Sequence, residues 1–139
     1  MFDLSLNNLS VVSESGYEFE VINPTTGGGT GAFIKVRGDN SPAVKAFGRK
    51  KFMELQMKQK AAKRRGKEDD LDLDEAEDLA VEAGVVRIIS WKGLAEDGKE
   101  LPFTKENAER ILKSHPWLRE QVMNESADLG NFQLKAVKN

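Results

Sequence analysis

Apolar and polar residues alternate in two short stretches near the start of the chain. Tyr17-Glu18-Phe19-Glu20-Val21-Ile22 sets apolar side chains against acids with a period close to two, the pattern of a strand with one buried face. Phe33-Ile34-Lys35-Val36-Arg37 repeats it with bases on the polar side. Asn23-Pro24-Thr25-Thr26-Gly27-Gly28-Gly29-Thr30-Gly31 lies between them and is turn-forming throughout. The three pieces predict a β-hairpin whose acids and bases can face one another across the pair. An isolated hairpin is marginal in water. Its apolar face therefore requires a helix or a neighbouring subunit.

The period then lengthens. Asp39-Asn40-Ser41-Pro42 opens a helix, with Ser41 as cap and Pro42 at the first helical position. Val44, Phe47, Lys51 and Leu55 share one side of it, with Phe52 beside them, and large apolar residues stop after Met57. Residues 58–70 read as a solvated helix end and a linker around Gly66. A second helix is predicted over 73–86, where Ala76, Leu79, Ala80, Ala83 and Val86 follow helical spacing. Asp72, Asp74 and Glu75 suit the positive end of its dipole. Val85-Val86-Arg87-Ile88-Ile89 fits helix or strand equally.

Trp91-Lys92-Gly93 is expected to begin a loop that ends at Leu101-Pro102-Phe103. Thr104 caps a short helix carrying Ala108, Ile111 and Leu112, and Ser114-His115-Pro116 breaks it. A last helix starts at Pro116 with Leu118, Val122 and Leu129 on one side. The fold class expected is α+β: an N-terminal β-hairpin followed by a mainly helical body with a C-terminal helical pair. The regions are 1–40 (hairpin), 41–70 (basic helix and charged linker), 71–132 (helical part) and 133–139 (tail).

Charge changes this picture more than composition does. The net charge is only −2, yet residues 45–67 hold ten Lys or Arg against Glu54 alone. Residues 68–82 hold nine acids and no base. Such blocks mark solvated faces or interaction surfaces. They can pair with each other, or between copies as self-association. Six of the ten residues 58–67 are cationic, which would suit nucleic acid. No aromatic residue is interleaved for base stacking, and an acidic block follows, so a solvated helix or an acidic partner is preferred.

Zero cysteines exclude a disulfide framework and thiol chemistry. No apolar run reaches the ~20 residues that cross a bilayer, and the first residues lack a signal peptide's basic region. A protein retained inside the cell, with no membrane contact, is expected.

The chemistry-bearing motifs are weak. Gly93-x-x-x-x-Gly98-Lys99 approaches a phosphate-binding loop, but Glu100 stands where a hydroxyl should bind magnesium, and Glu96 and Asp97 would repel phosphate. A tight turn at Asp97-Gly98 is the better reading. Gly27, Gly28, Gly29 and Gly31 lack dinucleotide-binding spacing. The acidic run from Glu68 lacks the central glycine and closing glutamate of a calcium loop. His115, the sole histidine, suits a cap or a surface position. No catalytic, metal or cofactor residues are assigned, and no enzyme is expected.

One ordered set of residues is more specific. Trp91-Lys92-Gly93, Asp97-Gly98-Lys99, Leu101-Pro102-Phe103-Thr104 and Glu106-Asn107-Ala108 lead to Ile111-Leu112, Pro116-Trp117, Gln121-Val122 and Asn131-Phe132. Over residues 85–132 the chain resembles the tail assembly chaperones of long-tailed (siphovirus-like) bacteriophages. Asn23-Pro24-Thr25-Thr26-Gly27 and Val36-Arg37-Gly38-Asp39 extend the likeness loosely. The resemblance implies a protein of the host cytoplasm, absent from the mature virion, that binds the tape-measure protein and helps bring tail tube subunits to it. Trp117, Leu118, Val122 and Leu129 are the candidate partner-binding stripe, with Trp91 and Phe103 as anchors that fit a core equally well. A structural tail subunit is the alternative, and a nucleic-acid module a weaker one.

Overall fold

The computed structural model describes residues 1–66 and 72–133. The chain begins with a 3-10 turn, Leu4–Leu6, and a short helix α1, Leu9–Ser15. Neither was foreseen in the sequence. Asn8 caps α1 by accepting from Ser10 N–H, and Gly16 ends it at φ 90°. A Cβ on Gly16 would lie 2.6 Å from Ile89 Cδ1 and 3.1 Å from the Val36 carbonyl, so the chain turns into the sheet at a point only glycine fits.

The expected hairpin forms from β1, Tyr17–Ile22, and β2, Gly29–Val36. Asn23 closes its tip, where its side-chain oxygen accepts from the amides of Thr25 and Thr26. The opposed charges are realised in part: Glu18 stands across from Lys35, while Glu20 stands across from Phe33. Glu18 instead pairs with Lys92 at 3.5 Å, on a third strand.

That strand settles residues 85–90. Helix α2 spans Pro42–Arg64 and α3 spans Leu73–Arg87; the chain then extends as β3, Ile88–Lys92, antiparallel to β2. Trp91 and Lys92 thus belong to a strand rather than to a loop. The cause is tertiary. Arg37 N–H donates to the Arg87 carbonyl at 2.6 Å, ending the helix, and Ile88 is buried beside Val36 in the sheet register. Strands β4, Ala95–Glu96, and β5, Lys99–Glu100, then form a small hairpin around Asp97-Gly98, both at positive φ (53° and 76°). This is the tight turn foreseen, with the left-handed conformations it demands.

Thr104 caps α4, Lys105–Ser114, by accepting from Asn107 N–H at 3.1 Å. Pro116 opens α5, Pro116–Ala127, which a 3-10 turn, Leu129–Asn131, follows. Phe19, Val21, Ala32, Ile34 and Val36 project from one face of the sheet into a core shared with Val81, Ile111, Leu112, Leu118, Val122 and Phe132. The hairpin's cover is therefore its own helical part. The Gln121 amide completes it, accepting from Ile22 N–H at 2.9 Å and donating to the Ile22 carbonyl at 2.7 Å. The architecture is α+β as expected. The predicted tail lies outside the described residues, apart from Gln133.

Candidate protein-interaction site

Helix α2 leaves this body at Arg37-Gly38-Asp39, a polar junction. Arg37 bonds the carbonyls of Val86 and Ile88 (3.0 and 3.3 Å) and Glu14 (3.1 Å). Asp39 accepts from Arg87 Nε at 3.0 Å and from the Ser126 hydroxyl at 3.1 Å. Ser41 caps α2 while its hydroxyl bonds Glu14. That bond, with help from Arg37, holds the Glu14 carboxyl below its ordinary range. Gly38 has no room for a side chain: its Cβ would lie 2.8 Å from Ser13 Oγ and 3.0 Å from the Phe132 ring.

Beyond this junction α2 runs its 23 residues with only Val44 buried. Along this length it packs on α3, which has two working faces. Val81 and Gly84 look into the body, and Gly84 lets Leu112 approach within 2.8 Å of where its Cβ would stand. Leu79, Glu82 and Glu75 look towards α2. Lys51 meets Glu82 at 2.6 Å, and Lys58 pairs with Glu75, so the basic helix is clamped to the acidic one. The bond to Glu82 raises the Lys51 pKa. The mutual attraction of the charge blocks thus operates within one chain.

Between the two helices lies a groove of about 670 Å³. Phe52, Leu55, Ala76 and Leu79 give it apolar lining, and Lys51, Lys58, Glu75 and Glu82 charge its rims. Phe52 is 61% exposed, Leu55 48% and Leu79 46%. Met53 and Met57 are exposed on the far side of α2, since 100° per residue carries them away from Leu55. Apolar residues on both sides of a charged two-helix arm suit an amphipathic partner helix. A second cleft, about 390 Å³ between α3 and α4, is lined mainly by charges. Several of these are already paired, Lys113 with Asp78 at 3.2 Å and Arg110 with Glu96 at 2.6 Å.

The stripe predicted on the last helix does not form. Leu118 and Val122 are buried (2% and 0%), because that side of α5 faces the sheet. Leu129 is exposed but sits past the end of α5, in the 3-10 turn. Trp91 and Phe103 meet edge to face at 5.0 Å, and the Trp91 indole donates to the Leu101 carbonyl at 2.8 Å. They close the core's edge. Trp117 is half-buried against the core, its ring 6.1 Å from that of His115. His115 caps the end of α4, with Nδ1 3.1 Å from the Ile111 carbonyl. Met53 and Met57 are open surface that sequence patterning did not single out, and Leu79, which spacing placed on a helical face, is open as well. Their signal was present: apolar residues inside charge blocks with no packed element following.

A family model described as YdaY prophage protein matches residues 47–139, two thirds of the chain. The match takes in the arm beyond its first turn and the C-terminal helices, and leaves out β1 and β2. No curated protein and no solved structure matches.

Proposed function

The chain belongs to the YdaY prophage protein family and is phage-derived, and from that premise we propose that it is a tail assembly chaperone. It binds the tape-measure protein in the host cytoplasm, helps recruit tail tube subunits, catalyses no reaction and stays out of the finished virion. The observation that carries this reading is the arm: Met53, Met57, Phe52, Leu55 and Leu79 stand in water on two charged helices. The motif resemblance over 85–132 supports it, although those residues mostly build the body. A tape-measure protein is long and helical, and its amphipathic stretches need apolar surface of the kind the arm exposes.

Met53 and Met57 are the contact assigned to this client. They lie one turn apart, flanked by Arg49, Lys60 and Arg64, and flexible thioethers adapt to varied partner side chains. Tagged chain recovered from infected cells should bring down a long helical protein identifiable by mass spectrometry. Met53→Glu/Met57→Glu should lose it while keeping the same circular dichroism. The chain found in stoichiometric amount in purified virions would instead make it a structural tail subunit.

A further inference from the structure

We propose that the outer face of α2 receives an acidic amphipathic helix, whose apolar stripe covers Met53 and Met57 while its Asp and Glu side chains meet the bases on either side. This rests on the chaperone reading for the place of the contact and adds the chemistry of the client segment that fits there.

Helix α2 carries eight bases and Glu54 as its one acid. Two of the bases are used within the chain: Lys51 pairs with Glu82 and Glu54, and Lys58 pairs with Glu75. Lys45, Arg49, Lys50, Lys60, Lys63 and Arg64 are exposed and make no ion pair among the described residues. At roughly 100° per residue, all six fall within about 80° of Met53, whereas Lys51 and Lys58 lie on the far side, towards α3. The helix thus sorts its charges. Bases that hold the arm together face α3, and the others surround Met53 and Met57, which are 63% and 72% exposed.

Local helix stability does not explain this face. No acid stands in the first turn of α2, where the helix dipole would favour one, and Lys45, Arg49 and Lys50 gather towards that positive end instead. Lys45 with Arg49, and Lys60 with Arg64, are like charges four residues apart, an arrangement that costs an isolated helix stability. An acidic partner relieves both and covers the two thioethers at once. A nucleic acid would answer the bases but set Met53 and Met57 against phosphate, with no aromatic residue in the same sector for stacking. From Lys45 to Arg64 the bases run about 28 Å along the axis, so the partner presents about five helical turns.

Fluorescence anisotropy of the full chain with labelled synthetic helices of about 20 residues tests this. One probe carries a Leu stripe flanked by Glu, a second the same stripe flanked by Lys, and a third the residues of the first in scrambled order. A DNA duplex of similar length is the fourth. The Glu-flanked probe should bind at least about tenfold more tightly than each of the others. Its dissociation constant should rise at least about tenfold between roughly 0.1 M and 1 M salt, as the screening length falls from about 10 to about 3 Å. Arg49→Glu/Lys60→Glu, with unchanged circular dichroism, should weaken the Glu-flanked probe and strengthen the Lys-flanked one. Lys50→Glu/Arg64→Glu should do the same if the first variant loses structure. Equal binding of the Glu- and Lys-flanked probes, a preference for the duplex, or self-association of the chain that these variants abolish overturns the inference. Client capture separates the two readings. If Arg49→Glu/Lys60→Glu still captures tape-measure protein while Met53→Glu/Met57→Glu loses it, this inference fails and the chaperone reading stands. If the Glu-flanked probe binds as expected but no tape-measure protein is captured from infected cells, the chaperone reading fails and the preference for an acidic helix stands.

Discussion

In the body, Ile34, Val36, Leu112, Val122 and Phe132 are almost wholly screened from water, whereas Phe52, Leu55 and Leu79 in the arm stay about half exposed. Both regions use apolar residues at helical or strand spacing. What separates them is the number of elements that converge. The core of the body receives side chains from three strands and from α3, α4 and α5, while the arm has two helices and, among the described residues, no third layer. Helix α3 belongs to both regions, and its two faces have opposite fates. Burial is thus a property of neighbours, and spacing alone describes only what a helix could bury.

Leu112→Ala should sharpen this contrast most. The residue is fully buried against Gly84 of α3, and such truncations cost about 2–5 kcal/mol. Urea denaturation should register that loss. Leu55→Ala should cost less than about 1 kcal/mol, since the side chain is about half exposed. Equal losses at the two sites would break the distinction between body and arm.

Gly38→Ala tests the junction between the regions. Its methyl would press on the Phe132 ring and displace Ser13 Oγ, and overpacking of this kind costs roughly 1–3 kcal/mol. The melting temperature should fall while hydrogen exchange rises first in α1 and the start of α2. A neutral outcome would mean that the junction yields without effort.

A double-mutant cycle on Lys51 and Glu82 should give a smaller coupling, below about 1 kcal/mol and diminishing with salt, because both side chains are partly solvated. A coupling indifferent to salt would contradict a solvated arm. The smallest effect concerns pH. Glu14, pulled below the ordinary glutamate range chiefly by the Ser41 hydroxyl, contributes stability at pH values above its unfolded pKa. That contribution disappears as pH falls through its lower folded pKa. Glu14→Gln should therefore be less stable than the native chain at neutral pH, with the gap closing in acid. A gap that widened in acid would reverse the sign and refute the assignment.

Several features were legible in the linear pattern because they are local. The caps at Ser41 and Thr104, the turn at Asp97-Gly98 and the break at Pro116 each follow from the conformations and hydrogen bonds a few consecutive residues favour. The attraction of the two charge blocks was legible for the same reason. The short helix at Leu9–Ser15 was missed since its apolar residues carry no clear period and its anchor, Gly38, is distant in sequence. The stripe on α5 was half right: Leu118 and Val122 do share a face, but periodicity identifies a face without saying whether protein or water meets it.

By itself, then, the sequence determined the alternation that makes β1 and β2, the starts of α2, α3, α4 and α5 with the break at Pro116, and the opposite signs of α2 and α3. These depend on interactions within a few residues or on total charge. Only the tertiary structure decided that Ile88–Lys92 is a third strand, that Leu118 and Val122 are core, and that Phe52, Leu55 and Leu79 are not. Each of those outcomes turns on contacts between residues far apart along the chain, such as Arg37 with Arg87 or Gly84 with Leu112, and a linear pattern carries no measure of such distances.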